Sequence, residues 1–163
     1  KYDNLLVVRT FSKSRALAGM RIGFAMGNEK LISYLNDAKF SFNSYTMNLP
    51  SLRIGAASVK ADDYFREMLG KVIATREWTK VELKKLGFLF PDSYSNFIFA
   101  SHPDVPAKEL FKALREQGII VRHFDKPRID NYLRITVGTD EQMQTLVDFL
   151  KKYLKQTSAD IDV

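Results

Sequence analysis

The feature that most constrains the fold is a long helical period near the middle of the 163-residue chain. Apolar residues recur at three- and four-residue steps from Asp62 to Leu86, and Gly87 follows, a residue typical of the position just after a helix. A helix of about 24 residues spans roughly 36 Å, which is long enough to connect two lobes. The pattern therefore predicts one helix over residues 62–87 that joins two different parts of the chain.

The part before this helix, residues 1–61, contains only two predicted strands. Two apolar segments, Leu5–Phe11 and Met20–Met26, predict buried strands, and the small, polar residues Ser12–Gly19 between them predict a loop. Two helices are expected after Asn28 and near Pro50. Because two strands cannot cover the edges of a sheet, and because the first residue is lysine rather than methionine, we expect this part to come from a larger domain of a longer protein.

The part after the helix, residues 88–155, predicts a compact α+β lobe of an order like β-α-β-β-α, with one more short strand at its start. Four strands are expected, at Phe88–Phe90, Asn96–Ala100, Ile119–Val121 and Tyr132–Val137. One helix is expected after Pro106, and a capping box formed by Thr139 and Gln142 predicts the last one. Residues 156–163 are expected to be a frayed tail.

Composition excludes several classes of function. There are no cysteines, so a disulfide framework, a thiolate nucleophile and a cysteine zinc site are excluded, and His102 and His123 have no matching ligand set, so no metal is expected. Lys and Arg number 25 against 19 Asp and Glu, a net charge of +6 that is dispersed along the chain. Neither a membrane helix nor a signal pattern is evident. We expect a cytoplasmic protein without nucleic-acid or membrane partners, although a basic binding module stays an alternative.

The most informative residues follow the first predicted strand. Lys13 ends an apolar strand among hydroxyl-bearing and small residues, a place where partial desolvation would let its amine lose a proton near neutral pH. A neutral amine forms a Schiff base with a carbonyl, while Ser12 and Arg21 offer a hydroxyl and a guanidinium to a phosphate. Pyridoxal 5'-phosphate carries an aldehyde and a phosphate on one ring and suits this set. Charged residues on an ordinary surface loop are the competing interpretation.

This segment also matches a longer motif. The run Thr10–Gly19, T-F-S-K-S-R-A-L-A-G, followed by M-R-I-G, resembles the cofactor attachment signature of the class-II group of fold-type I pyridoxal-phosphate aminotransferases. The resemblance implies that Lys13 binds the cofactor covalently and that Ser12 and Arg21 bind its phosphate.

The same resemblance implies an α/β fold and a division of the chain. Residues 1–61 would be the C-terminal part of the large cofactor-binding domain, 62–87 the interdomain helix and 88–155 the small C-terminal α+β domain. Because the family's aspartate partner of the pyridine nitrogen cannot be assigned here, we expect the isolated chain to be inactive.

Two arginines in the second lobe are candidate substrate ligands. In the alternating run Tyr132–Gly138, Arg134 lies on the face opposite Leu133, where it can bind a carboxylate or simply face solvent. The run resembles the strand whose arginine binds the substrate carboxylate in these aminotransferases. The run G-I-I-V-R, ending at Arg122, resembles a motif of histidinol-phosphate aminotransferases that reaches the substrate's phosphate, although an ordinary strand-end arginine fits it too. Asn96 matches a family position near the substrate.

The function implied by this resemblance is transamination between histidinol phosphate and 2-oxoglutarate, in histidine biosynthesis, by a full-length homodimeric enzyme. Two enzymes of the same fold are alternatives, a threonine-phosphate decarboxylase and an aromatic amino-acid aminotransferase. A third alternative, of another class, is a non-catalytic binding domain.

Overall fold

The structure, a computed structural model, describes residues 2–159 and divides into two compact units. The division falls between Leu69 and Gly70, inside the longest helix, α4 (Asp62–Lys85). This 24-residue helix confirms that a long helix begins at Asp62, although it ends at Lys85 and not at the predicted residue 87. We call the part before the division the first unit and the part after it the second unit. Along the described residues, no helix is both long enough and apolar enough to cross a membrane.

The first unit contains a two-stranded antiparallel sheet and three helices besides the start of α4. Its elements are β1 (Leu6–Thr10), α1 (Phe11–Ser14), β2 (Gly23–Gly27), α2 (Glu29–Phe42) and α3 (Leu49–Lys60). Asn28 and Asn48 cap α2 and α3, because their side-chain oxygens accept hydrogen bonds from backbone N–H groups of the first turn.

Two predictions for the first unit are wrong. The loop expected over residues 12–19 begins with the helical turn α1, because Thr10 caps it, and ends in the 3-10 turn Ala18–Met20. The strands expected to be buried are largely exposed, as Val8 illustrates at 69%. Each strand has one strand neighbour among the described residues, so a local apolar run is not enough to bury it.

The second unit is a three-stranded antiparallel sheet covered on one face by helices. After most of α4 it contains β3 (Phe97–Ala100), α5 (Ala107–Glu116), β4 (Arg122–His123), β5 (Leu133–Thr136) and α6 (Asp140–Ala159), with sheet order β3-β5-β4. The predicted β-α-β-β-α order is confirmed for these elements. The strand expected at 119–121 is wrong, because the ladder starts only at Arg122, and the one expected at 88–90 is reduced to a single bridge between Leu89 and Ser101.

The core of the second unit explains why one sheet face remains open. On β5, Leu133 and Ile135 are buried while Arg134 and Thr136 are exposed, as the alternation predicts. The buried face packs against apolar residues of the helices, namely Leu83, Leu110, Leu114, Met143, Leu146 and Leu150. The helices therefore cover the face opposite Arg134, whose side chain lies on the open face.

The two ends of the last helix bear on two predictions, the capping box at its start and the frayed tail at its end. Its capping box is confirmed, since the Thr139 N–H donates to Gln142 Oε1 at 3.0 Å and the Gln142 N–H donates to Thr139 Oγ1 at 3.3 Å. Helix α6 continues to Ala159, past the start of the tail predicted at 156. The rest of that predicted tail, residues 160–163, lies outside the described residues.

Candidate functional site

The segment that follows β1 is built around the hydroxyl of Thr10. Thr10 Oγ1 accepts a hydrogen bond from the Ser12 N–H at 3.1 Å and donates one to Ser12 Oγ at 2.8 Å. This arrangement starts α1 and places Ser12 and Lys13 directly after the strand. Because Ser12 Oγ accepts the bond from Thr10, its own hydrogen is left to donate to an external acceptor.

Lys13 lies on the solvent side of α1, while Phe11 takes the inward position. The partial desolvation expected from the sequence is therefore wrong for this chain, since a single helical turn on a two-stranded sheet does not enclose the Lys13 side chain. Among the described residues no carboxylate forms an ion pair with its amine. The amine is consequently accessible to a ligand.

Arg21 has an unusual backbone conformation. Its φ of 55° and ψ of 41° lie in the left-handed region, and its Nη1 donates to the Ala18 carbonyl oxygen at 3.0 Å. Ala16 has a φ of 54°, so two non-glycine residues of one short segment adopt this costly conformation. Such residues cluster at functional sites, where the surrounding structure holds them in place. The left-handed backbone conformations thus lie in the same segment as the sequence motif.

Arg15 anchors this segment, and the sequence analysis missed it. Its guanidinium donates to the Ser58 carbonyl oxygen at 2.8 Å and to Asp62 Oδ1 at 3.2 Å, and its Cζ lies 4.0 Å from the centroid of the Phe65 ring. The hydrogen bond from Arg66, together with that from Arg15, lowers the pKa of Asp62 below its ordinary value of 3.8. The contacts of Arg15 join it to residues 43 and more positions later in the chain, so the sequence carried no local signal for this role.

The second unit brings Arg122 and Arg134 together. They are direct cross-strand partners on β4 and β5, although twelve residues separate them in the chain, and Phe99 of β3 is the partner of Arg134 on the other side. Side chains directly opposite each other lie on the same face of a sheet. Both arginines are exposed, and neither pairs with a carboxylate among the described residues. Two guanidiniums on one sheet face, with no described carboxylate between them, could bind an anion.

An aromatic residue that the sequence analysis missed touches both arginines. The Cζ atoms of Arg122 and Arg134 lie 5.5 and 5.7 Å from the ring centroid of Phe124. Phe124 stands two residues after Arg122, the spacing that places side chains on one face of an extended segment. In the sequence, that spacing was the only indication that Phe124 lies near Arg122.

Asn96 is exposed and lies just before β3. Its carbonyl oxygen accepts a hydrogen bond from the Val137 N–H at 2.9 Å, and the preceding carbonyl, of Ser95, accepts one from Arg76 Nη1 at 3.1 Å. Among the described residues, no contact joins the Asn96 side chain to Arg122 or to Arg134. Its predicted role at the substrate therefore stays a prediction.

Comparison with known proteins identifies the family of this chain. Residues 1–150 match the family Aminotransferase class I and II. The histidinol-phosphate aminotransferase of Brachyspira hyodysenteriae is 54% identical over 155 residues, which are 95% of this chain and 44% of that protein. The enzyme of the same name from Lactococcus lactis subsp. lactis is 54% identical over 156 residues, 96% of this chain and 43% of that protein. The chain thus spans less than half the length of these relatives.

Solved structures show the same fold. A putative histidinol-phosphate aminotransferase from Erwinia carotovora atroseptica superposes with a TM-score of 0.82 at 25% identity, over 96% of this chain and 44% of that one. The histidinol-phosphate aminotransferase of Clostridium acetobutylicum gives a TM-score of 0.84 at 21% identity, over 95% and 47%. The Sinorhizobium meliloti enzyme, solved in complex with pyridoxal-5'-phosphate, gives 0.76 at 21% identity, over 95% and 42%. The chain has part of the α/β fold of fold-type I aminotransferases, and it belongs to the aminotransferase class I and II family.

Proposed function

We propose that the protein to which this chain belongs is a pyridoxal-phosphate-dependent aminotransferase that transfers an amino group between histidinol phosphate and 2-oxoglutarate. The observation that carries the proposal is the segment after β1, which presents the Lys13 amine, the Ser12 hydroxyl and the strained Arg21 in a chain 54% identical to relatives of that name. We propose with it a homodimeric, cytoplasmic enzyme of histidine biosynthesis whose isolated 163-residue part is inactive.

The side chains of this segment fit the cofactor by their chemistry. The Lys13 amine would bind the aldehyde covalently, and the Ser12 hydroxyl and the Arg21 guanidinium would hold the phosphate. When bound, the cofactor supplies an electron sink for the carbon from which the substrate loses a proton. With the cofactor bound and its own amine free, Lys13 would be the base that takes the proton from the substrate's Cα and delivers it to the cofactor carbon that bears the substrate nitrogen. The exposed Lys13 amine supports this role, because no carboxylate among the described residues forms an ion pair with it.

The arginine pair would select the two substrates. Glutamate brings an α-carboxylate, which Arg134 can bind through two parallel hydrogen bonds. Histidinol phosphate has no carboxylate, and its phosphate has three terminal oxygens that can accept hydrogen bonds from two guanidiniums at once. Because Arg122 and Arg134 are cross-strand partners, we propose that both bind the phosphate. One pair of cations would then serve two different anions in the two half-reactions.

The proposal is tested in a chimera, because the chain spans less than half of its relatives. The segment of the Lactococcus lactis relative that matches this chain is replaced by the chain itself, and turnover of histidinol phosphate with 2-oxoglutarate is measured. We expect turnover in the chimera and in its Lys39→Ala variant, and none in the Lys13→Ala variant. Lys39 is the matched control, since it lies near the end of α2, outside the segment.

The same assay separates the alternatives. Faster release of CO₂ from threonine phosphate, or faster transamination of aromatic amino acids, would contradict the proposed substrate while keeping the fold. A chimera that folds and shows no turnover with any of these substrates would favour a non-catalytic domain.

A further inference from the structure

The arginine pair poses an electrostatic problem within the second unit. Like charges directly opposite each other on paired strands destabilise the sheet. Arg122 and Arg134 are in this arrangement, at the end where β4 has only two residues in its ladder. No described carboxylate neutralises either of them. A nearby group that attracts both exposed guanidiniums would offset this repulsion when no anion is bound.

Phe124 is placed to do this. Its ring centroid lies 5.5 Å from Arg122 Cζ and 5.7 Å from Arg134 Cζ, both within the range at which a cation is attracted to the negative face of an aromatic ring. Arg134 has a second ring, Phe97, at 5.7 Å, whereas no second ring is described within that range of Arg122. Phe124 is therefore the group that the two arginines share.

The ring of Phe124 is itself held in place. It is half-buried and meets the ring of Phe99 edge to face, with centroids 6.2 Å apart. Phe99 in turn stacks on Tyr132, with centroids 4.6 Å apart and planes 10° from parallel. Phe99 is also the cross-strand partner of Arg134. A fixed ring close to both cations restricts where each can lie, which a flexible aliphatic side chain does not.

We propose that Phe124 is a positioning residue that holds Arg122 and Arg134 together as one site for a doubly charged phosphate group. The proposal rests on the proposed role of the arginine pair in substrate binding. Without the ring, repulsion moves the two guanidiniums apart and each binds an anion separately. With the ring, the pair is preorganised, so that a phosphate meets donors from both arginines at once.

The test uses the full 163-residue chain and inorganic phosphate as the probe. The Nε–H signals of Arg122 and Arg134 are assigned in ¹⁵N NMR spectra from the Arg122→Lys and Arg134→Lys variants, and phosphate is then titrated into the chain. Phe124→Leu removes the ring with little change of volume, and Phe124→Tyr keeps a ring. Phe111→Leu is the matched control, because Phe111 is also half-buried in the second unit but packs on His123.

We expect both arginine signals of the unsubstituted chain to follow a single titration curve. In Phe124→Leu the affinity should fall by about tenfold, the loss of two cation–π contacts, and the two signals should follow separate curves. Phe124→Tyr and Phe111→Leu should behave like the unsubstituted chain. A ring-current displacement of the Arg122 signal before phosphate is added is a second expected result, because Phe124 is the ring described near Arg122, and it does not depend on a Phe124 variant folding.

Two results would overturn the proposal: a Phe124→Leu chain whose signals still titrate together with unchanged affinity, or an Arg122 signal that shows no ring-current displacement. Neither readout needs cofactor or turnover. An inactive chimera, combined with titration that is coupled in the unsubstituted chain and separate in Phe124→Leu, would therefore overturn the proposed reaction and support the role of Phe124. An active chimera with unchanged titration in Phe124→Leu would overturn the role of Phe124 alone.

Discussion

The two units of this chain are stabilised in different ways. The second unit encloses an apolar core of side chains such as Leu83, Ile98 and Leu114, each fully buried. In the first unit, among the described residues, the buried apolar side chains are only Phe11 and Ile22, which α3 approaches closely at its glycine. The candidate cofactor segment therefore lies in the unit with little apolar core. The candidate anion site lies in the unit whose apolar core is complete.

Polar contacts take the place of an apolar core around the candidate cofactor segment. Arg15 bonds the Ser58 carbonyl oxygen and Asp62, and the buried hydroxyl of Ser51 donates to the Met20 carbonyl oxygen at 3.0 Å. These bonds tie the two ends of the segment to α3 and to the start of α4. Meanwhile large apolar side chains of this unit, such as Phe24, are exposed, which is typical of surfaces that another polypeptide covers.

The largest effect is expected from truncating the core. Leu114→Ala, at a position that is 0% exposed, should lower the free energy of unfolding by about 2–5 kcal/mol, because it removes buried atoms and leaves a cavity. The matched change in the first unit, Val8→Ala at a position 69% exposed, should change it by less than about 0.5 kcal/mol. Denaturant unfolding of the chain measures both. Equal losses would show that the two units do not differ in the way described.

A smaller effect is expected from the polar anchor. Arg15→Gln should destabilise the first unit by about 1–2 kcal/mol, since it removes a charged hydrogen bond to Ser58 and the contact with the Phe65 ring. Arg66→Gln is the control, because Arg66 also pairs with Asp62 but its side chain is 75% exposed. Amide hydrogen exchange of α3 reports the difference. Similar protection in the two variants would contradict the role of Arg15 as an anchor.

The smallest effect is a dependence on pH in the second unit. The hydrogen bonds from Lys85 and Lys151 lower the pKa of Glu82 below its ordinary value of 4.5. A lowered carboxyl pKa stabilises the fold above pH 4.5, and that contribution is lost as the pH falls below 4.5 through the lowered pKa. Thermal unfolding of Glu82→Gln should therefore be less sensitive to acid than that of the unsubstituted chain. Identical acid profiles for Glu82→Gln and the unsubstituted chain would refute the role of Glu82.

Much of the second unit was predictable from local sequence. The period of α4, the capping box of Thr139 and Gln142, and the alternation around Arg134 are each local patterns with one strong structural solution. The lysine segment was recognised because its motif is long. Predicting these features required no knowledge of which distant residues are in contact.

The remaining features depend on contacts between distant residues. Burial of the Leu6–Thr10 strand depends on what covers it, which its own residues do not encode. The pairing of Arg122 with Arg134 is set by the register between β4 and β5, which a twelve-residue separation does not fix. The start of α1 was missed because a hydroxyl of Thr10 decided it.

The central claim is that Lys13 in the first unit is the cofactor-binding residue. It is tested most directly by incubating the chimera with pyridoxal phosphate, reducing it with borohydride and mapping the modified lysine by peptide mass spectrometry. We expect the stable adduct on Lys13, and no adduct in Lys13→Ala at the same cofactor concentration. An adduct of equal yield on another lysine, or one that persists in Lys13→Ala, would contradict the account.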